Sequence, residues 1–540
     1  MAGILRAVSA TGQTRAVAAG EELSPPAPGC GEGVAVSPRD GTLTAPATPR
    51  DGTLTAPATT QEETLTDTAS SQDGALTAPA MPQDGGSTAD GASDRSPLDS
   101  RSAPPAADAT RVRARLGIAG LVGSVALIAI GAARTGVLLP QSVRPVPAPL
   151  GGAFNAISLD LTPGGVIALL AVMMACYAAV VAGAARLGAR TLIGAIVLAN
   201  LLVLLAPPLV STDIFSYQAY ARMGSVYSIN PYTHGPYAIN LDPVFPYIGY
   251  RWSYVPSVYG PLFTLASYPL AALSVAASVF AYKALAAASS LALVAIVWRC
   301  ARLRDRDVLR AVALVGLNPL LVIYGVGGGH NDLVMLVAMA AALWALLVER
   351  DAAGGALGAL AVGLKLTAGV ILPFACVDRA RRGAGRWQRL WAGLGAGAGV
   401  VLAAGFSAFG AGLLEMFATL DHAQAQGGDA SFPGFVAARL GLPGVGHAAG
   451  FALAGVFALV CLWLMRRVWR GRLDWIDAAA WATVAMLLAT GSLLPWYVSW
   501  LAPLAALARD RRLTRATLAL TAAVLCIQMI SYVPHYSPLF

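Results

Sequence analysis

The chain has 540 residues, 56% of them hydrophobic and 12% charged, with a mean hydropathy of +0.62; repeated apolar stretches near the ~20 residues that cross a bilayer exclude an ordinary soluble domain. The net charge of +8 comes almost wholly from arginine gathered in short clusters between apolar segments, which excludes a nucleic-acid-binding face and turns the charge into topological information. Six cysteines lie far apart with no CxxC and no metal-like spacing, so neither a disulfide framework nor a structural zinc is expected.

In chain order, residues 1–110 are rich in Pro, Gly, Thr, Ala and Ser. They carry a repeat of roughly 11 residues, seen as DGTLTAPATPR from Asp40, DGTLTAPATTQ from Asp51 and DGALTAPAMPQ from Asp73. Such a composition buries too little apolar surface to offset chain entropy and predicts a disordered tail. Its start, MAGILRAVSA, lacks the sustained apolar core of a signal peptide. From Arg111 to Phe540 the chain reads as an all-α polytopic membrane domain. The cluster Arg111, Arg113 and Arg115 precedes a first span at about Leu116 to Leu139, and the positive-inside rule keeps the tail cytoplasmic. Later clusters are Arg186 with Arg190, Arg299 to Arg310, Arg379 to Arg389, Arg466 to Arg472 and Arg509 to Arg515. All fall on the cytoplasmic side with about 13 membrane segments, on three conditions. Pro261 to Ser278 must be interfacial or re-entrant, Gly354 to Val377 must be two short helices meeting near Lys365, and Ser492 to Ala508 must turn near Trp496 and return. Broken segments are tolerated only where protein or a water-filled cavity satisfies the freed backbone, which points to an enclosed outer cavity. Four stretches meet on that face: Ser211 to Gly260, Gly327 to Asp332, the turn at Lys365, and a polar loop Ser407 to Phe432. All five histidines, His234, His330, His422, His447 and His535, fall on or near it.

Asp213 stands where the apolar segment Thr191 to Val210 gives way to a loop of roughly 50 residues rich in aromatics. A helix N-cap is one reading; a general base at the membrane surface, beside Tyr217, Tyr220 and Arg222, is the other. Arg222 is a candidate phosphate contact. The run GVGGGHND, Gly325 to Asp332, follows a span from Leu309 to Tyr324 and lets backbone N–H groups approach an anion, with His330 and Asp332 as binding groups; a glycine turn capped by Asn331 or Asp332 is the alternative. Lys365, one of two lysines, interrupts an apolar segment where a charge must be paired or wet; a phosphate partner and snorkelling both fit, while Lys283 fits snorkelling. Tyr232, His234, Arg251, Trp252 and Tyr259 crowd the loop with Asp242, and Trp496, Tyr497 and Trp500 follow near the C-terminus. Aromatic faces stack on sugar rings, so these form either a carbohydrate groove or an interfacial aromatic belt.

The stretches STDIFSYQAYARMGSVYSINPY, YGPLFTLASYPL, GGGHND, LKLTAGVILPF and LPWYVSWLAPL resemble, in order and rough spacing, the polyprenol-phosphate-mannose-dependent mannosyltransferases of actinobacterial lipomannan synthesis. The α-(1→6)-mannopyranosyltransferase group is the best match, over about Arg111 to Phe540. The resemblance implies a GT-C-type glycosyltransferase fold with outer-face loops, in a multi-pass plasma-membrane protein whose active site is extracytoplasmic. It implies an inverting transfer of mannose from a β-linked polyprenyl phosphate to a mannan or lipoglycan hydroxyl. Asp213 would be the base, and Arg222, His330 and Lys365 would be candidates for the donor phosphate. The substrate-binding set would be Tyr217, Tyr220, Tyr232, His234, Arg251, Trp252, Tyr259, Asp332, Trp496 and Tyr497. No cofactor is expected, because the lipid-linked sugar is a substrate and a phosphate leaving group can be met without a metal. Many GT-C enzymes pair two acids early in this loop, whereas Asp213 follows Ser211 and Thr212. The alternatives are an α-1,2-mannosyl or pentosyl transferase using a similar donor, and a transporter of lipid-linked sugar, although the internal repeats of the latter are not detected.

Overall fold

A computed structural model of the protein describes residues 105–426, 445–490 and 493–533. The repeat tail, part of the loop after Ser407, and His535 lie outside them, as does the side chain of His447. Among the described residues every regular element is helical. In chain order the helices are α1 (Pro105–Gly131), α2 (Pro163–Gly183), α3 (Ala189–Leu205), α4 (Asp213–Ser225), α5 (Pro261–Ser267), α6 (Val275–Leu303), α7 (Val308–Gly316), α8 (Asp332–Leu347), α9 (Asp351–Leu364), α10 (Leu372–Arg382), α11 (Ala384–Phe409), α12 (Glu415–Gln426), α13 (Val445–Trp469), α14 (Trp475–Ala489), α15 (Leu501–Leu507) and α16 (Arg511–Ser531). Several starts are written locally: the side chains of Thr162, Ser274, Asp307, Asp474 and Asp510 accept backbone N–H bonds at the first turns of α2, α6, α7, α14 and α16.

Among the described residues six helices are long and apolar enough to cross a membrane: α1, α2, α6, α11, α13 and α16. A seventh span arises if α7 is joined to the π-helical turn Leu320–Val326, which follows at a bend of 44°. The expected single span Leu309 to Tyr324 is therefore broken. Pro319 has no N–H to continue α7, and the Asn318 side chain takes over by accepting from Leu320 N at 2.9 Å. The helices α3, α8, α9 and α14 are apolar but shorter. The first span also differs from expectation, since α1 begins at Pro105 and ends at Gly131, with 3₁₀ turns carrying the chain onward. Pro261 to Ser278 contains only α5 and a 3₁₀ turn, Tyr268–Ala272, before α6 begins. The stretch expected as polar loop from Ser407 includes the end of α11 and all of α12.

Small residues set the packing. A Cβ at Gly393 on α11 would strike the backbone of Ala352 on α9, and one at Gly397 would meet Ala356 O at 2.6 Å, so these two helices touch backbone to backbone. The main buried core runs through the long helices, and a second core joins α4 to its loop through Phe215, Tyr217, Met223, Val244 and Phe263. Arg222, at the far end of α4, ties the same loop down by its ion pair to Asp242 at 2.7 Å.

Candidate active site

Three breaks in the helical framework supply the site. After α3 the backbone unwinds through Pro207 and Pro208; Leu209 N donates to Gly327 O at 3.1 Å and Val210 N to Leu138 O at 2.9 Å. This fixes the approach to Asp213, the first residue of α4. Thr212 occupies the cap position without a side-chain cap bond, and the Asp213 backbone N–H donates to Ser211 Oγ at 3.2 Å. The second break is the glycine turn before α8. Gly329 sits at φ +65 with Ile214 crowding its missing side chain, so glycine is required there on two counts. The third is Lys365, extended at φ −159 and ψ 127 between α9 and the 3₁₀ turn Leu366–Ile371.

These breaks converge. Asp213 Oδ2 lies 3.5 Å from His330 Nδ1, with 20% of the Asp213 side chain exposed and none of the His330 side chain. The imidazole stacks on Trp496 at 3.7 Å between ring centroids and 24° between planes, and neither ring nitrogen has a hydrogen-bond partner. Asp332 accepts both oxygens' worth of bonding from Lys365 Nζ, at 2.8 and 2.9 Å, and a further bond from Trp500 Nε1 at 2.6 Å. The Lys365 ammonium also sits 5.3 Å over Tyr497 and 5.4 Å over Trp500, which stack on each other at 4.1 Å. Tyr217 donates to Asn331 Oδ1 at 3.3 Å and meets the Tyr259 ring edge-on at 4.7 Å.

Burial governs the titration of the central pair. Desolvation lifts the Asp213 carboxyl to about 6; nearby Asp332 adds to the rise, while Lys365 and hydrogen bonds from Ser211 and Tyr259 oppose it. Desolvation pushes His330 down to about 3, against the pull of Asp332. The imidazole is therefore neutral at ordinary pH, and its closeness to Asp213 is a polar contact rather than an ion pair.

Of the residues singled out in the sequence, Asp213, Tyr217, Tyr259, His330, Asp332, Lys365, Trp496 and Tyr497 belong to this cluster. Arg222 does not: nine residues along α4, roughly 13 Å away by helical rise, it is held by Asp242 and donates to Ala271 O at 2.8 Å. Tyr220 donates to Val255 O, and Tyr232 to Tyr259 O, both at 2.8 Å, so these hydroxyls brace the loop. His234 and Arg251 are exposed and Trp252 is half-buried against the loop core. Three further residues take part in ways the sequence reading did not give. Trp500, read with Trp496 and Tyr497 as a sugar-stacking or belt ring, instead holds Asp332. Asn331 was read only as a cap, yet its Nδ2 is buried without a partner. Lys283 does not snorkel: it is 1% exposed and donates to the carbonyls of Ala206 and, at 2.9 Å, Pro207. Among the described residues no group of three His, Cys, Asp or Glu converges as a metal site.

Comparison with known proteins gives two family matches. Residues 117–381 match the family described as Alpha-(1->6)-mannopyranosyltransferase, N-terminal domain, and residues 440–533 match the MptB C-terminal domain. Asp213, His330 and Lys365 lie in the first match and Trp496 and Trp500 in the second, so the cluster is built from both. The chain is 29% identical to Alpha-(1->6)-mannopyranosyltransferase A of Mycobacterium tuberculosis over 367 residues, which are 61% of this chain and 68% of the relative. It is 29% identical over 425 residues to a Probable alpha-(1->6)-mannopyranosyltransferase of Mycolicibacterium smegmatis, covering 69% and 75% of the two chains. With Alpha-(1->6)-mannopyranosyltransferase B of Corynebacterium glutamicum it shares 26% identity over 349 residues, 56% of each. No solved structure gives a significant match.

Proposed function

The chain belongs to the alpha-(1->6)-mannopyranosyltransferase family and is a glycosyltransferase of the membrane, and from that premise we propose that it transfers mannose from polyprenyl phosphate mannose to a hydroxyl of an α-(1→6)-mannan acceptor. In this reading the acceptor oxygen attacks the anomeric carbon from the face opposite the phosphate, the carbon–phosphate oxygen bond breaks, and polyprenyl phosphate leaves with the electron pair. A β-linked donor thereby gives an α product. The acceptor proton goes to Asp213, whose carboxyl, raised to about 6, is basic enough to accept it and still ionised at neutral pH. Neutral His330, wholly buried with Nδ1 3.5 Å from Asp213 Oδ2, can position that carboxylate. An ammonium has three N–H donors; two of Lys365's are spent on Asp332, which leaves one for a phosphate oxygen. Trp496, Tyr497 and Tyr259 offer ring faces and edges to the sugar.

The helix order supports a GT-C-type architecture of about 13 traverses, counting α7 with its π-helical turn, α10 with the 3₁₀ turn before it, and α15 with Pro495–Trp500, as single crossings. Such a path leaves the arginine clusters cytoplasmic and the Asp213 cluster outside. The observation that carries the reading is the carboxyl of Asp213, lifted by burial and facing an orphaned imidazole. The test is radiolabelled mannose transfer from polyprenyl phosphate mannose to a short α-(1→6)-mannoside by purified protein. Asp213→Asn, at matched thermal unfolding, is expected to lose about 10²–10⁴-fold in kcat; full activity in that variant would remove Asp213 as the base.

A further inference from the structure

At the end of α14 remote from the Trp496 turn, the α13–α14 connection encloses an open hollow of about 460 Å³ lined by Trp463, Arg466, Arg467, Arg470 and Arg472. The chain reverses there at Gly471, φ +67, and the Arg381 guanidinium on α10 comes up against the same glycine. Several arginines at other places are matched to acids: Arg222 with Asp242, Arg304 with Asp474, Arg379 with Asp351, Arg382 with Asp378 and Arg386 with Glu349. Among the described residues none of the four arginines of the hollow has a carboxylate partner; Asp474, the acid nearest in sequence, is turned to Arg304 at 2.9 Å. The Arg467 guanidinium stands 4.9 Å over the Trp463 ring.

Four guanidinium groups around one cavity repel each other, and an anion with several acceptor oxygens relieves that repulsion while meeting their forked N–H geometry. The surroundings decide which anion. Just above the arginines, α13 exposes Leu459, Leu462 and Trp463 at 66%, 61% and 54%, so the hollow opens beside a surface suited to acyl chains rather than only to water. We propose that this hollow binds the phosphodiester headgroup of an anionic phospholipid, with the arginines on the phosphate and Trp463 at the boundary between headgroup and acyl chain. The site lies a full α14 length, ~22 Å by helical rise, from the catalytic cluster and is independent of the donor assignment.

The test uses native mass spectrometry and thermal unfolding of the full chain in neutral detergent, with cardiolipin, phosphatidylglycerol, phosphatidylcholine or inorganic pyrophosphate added. The wild-type protein is expected to bind the two anionic lipids at least tenfold more tightly than phosphatidylcholine. That preference is expected to vanish in the quadruple variant Arg466→Gln, Arg467→Gln, Arg470→Gln, Arg472→Gln, and to weaken in Arg470→Gln, Arg472→Gln, whose changes lie on the turn after α13, outside the buried core, and keep the fold testable. Retention of the full lipid preference in both variants overturns the proposal, as does equal binding of phosphatidylcholine. Pyrophosphate binding as tightly as the anionic lipids would overturn the lipid assignment in favour of a free phosphate.

Discussion

Asp213 and His330 are each ordinary as single letters and unusual as neighbours. Burial moves them in opposite directions, the acid up to about 6 and the imidazole down to about 3, because low dielectric penalises whichever form is charged. If Asp213 must be ionised to take the acceptor proton, kcat falls tenfold per pH unit below about 6. His330 cannot produce this limb, since it loses its proton near 3. A pH–rate profile of the wild-type enzyme checks this, and a limb that persists unchanged in the residual activity of Asp213→Asn would assign it to another group. Stability runs with the opposite sign. The fold raises this carboxyl above its ordinary 3.8, so Asp213 favours folding most fully below that value, and the contribution is lost as pH rises through about 6. The residue types and approximate positions of this pair were legible in the sequence. Their mutual distance was not, because 117 positions of chain separate them and only the packed helices bring them together.

At the scale of elements, the site is made where helices stop. Lys283, in the third turn of α6, donates to the last carbonyls before the α4 approach, and its stem lies against the Gly329 turn. It thereby ties three elements that meet at Asp213. Lys283→Met leaves two buried carbonyls without a donor and is expected to cost about 1–3 kcal/mol of stability. If Asp213 is the base, as proposed, the variant is also expected to lower kcat with little change in KM, because that carboxyl is displaced while the aromatic rings proposed to meet the sugar remain; thermal unfolding and steady-state kinetics measured together check this. An unchanged kcat in the folded variant would confine Lys283 to stability. The sequence made Lys365 stand out through its rarity and the apolar segment around it, and the helix does break there. The same rarity was available at Lys283, but whether a lysine in an apolar helix reaches the surface or a buried carbonyl depends on which neighbour unwinds beside it. That is a tertiary fact.

For the molecule as a whole, the alternation of apolar stretches and arginine clusters predicts opposite sides for the aromatic loop and the α10–α11 turn. Asn240 and Gln388 are both exposed. In a cysteine-free background, a membrane-impermeant maleimide added to intact cells is expected to label Asn240→Cys and to spare Gln388→Cys until the membrane is opened; the reverse pattern would invert the topology. Helical class, membrane character and the break at Lys365 follow from the sequence alone, because hydropathy and an isolated charge act on their own few residues, whereas the break at Asn318–Pro319 was not foreseen. The tertiary structure decided what those breaks assemble. It committed Arg222 to Asp242, drew Trp500 onto Asp332, buried Lys283 and left both nitrogens of His330 without partners. Each of these outcomes turns on distances between residues far apart in the chain, which helix packing fixes and local composition does not encode.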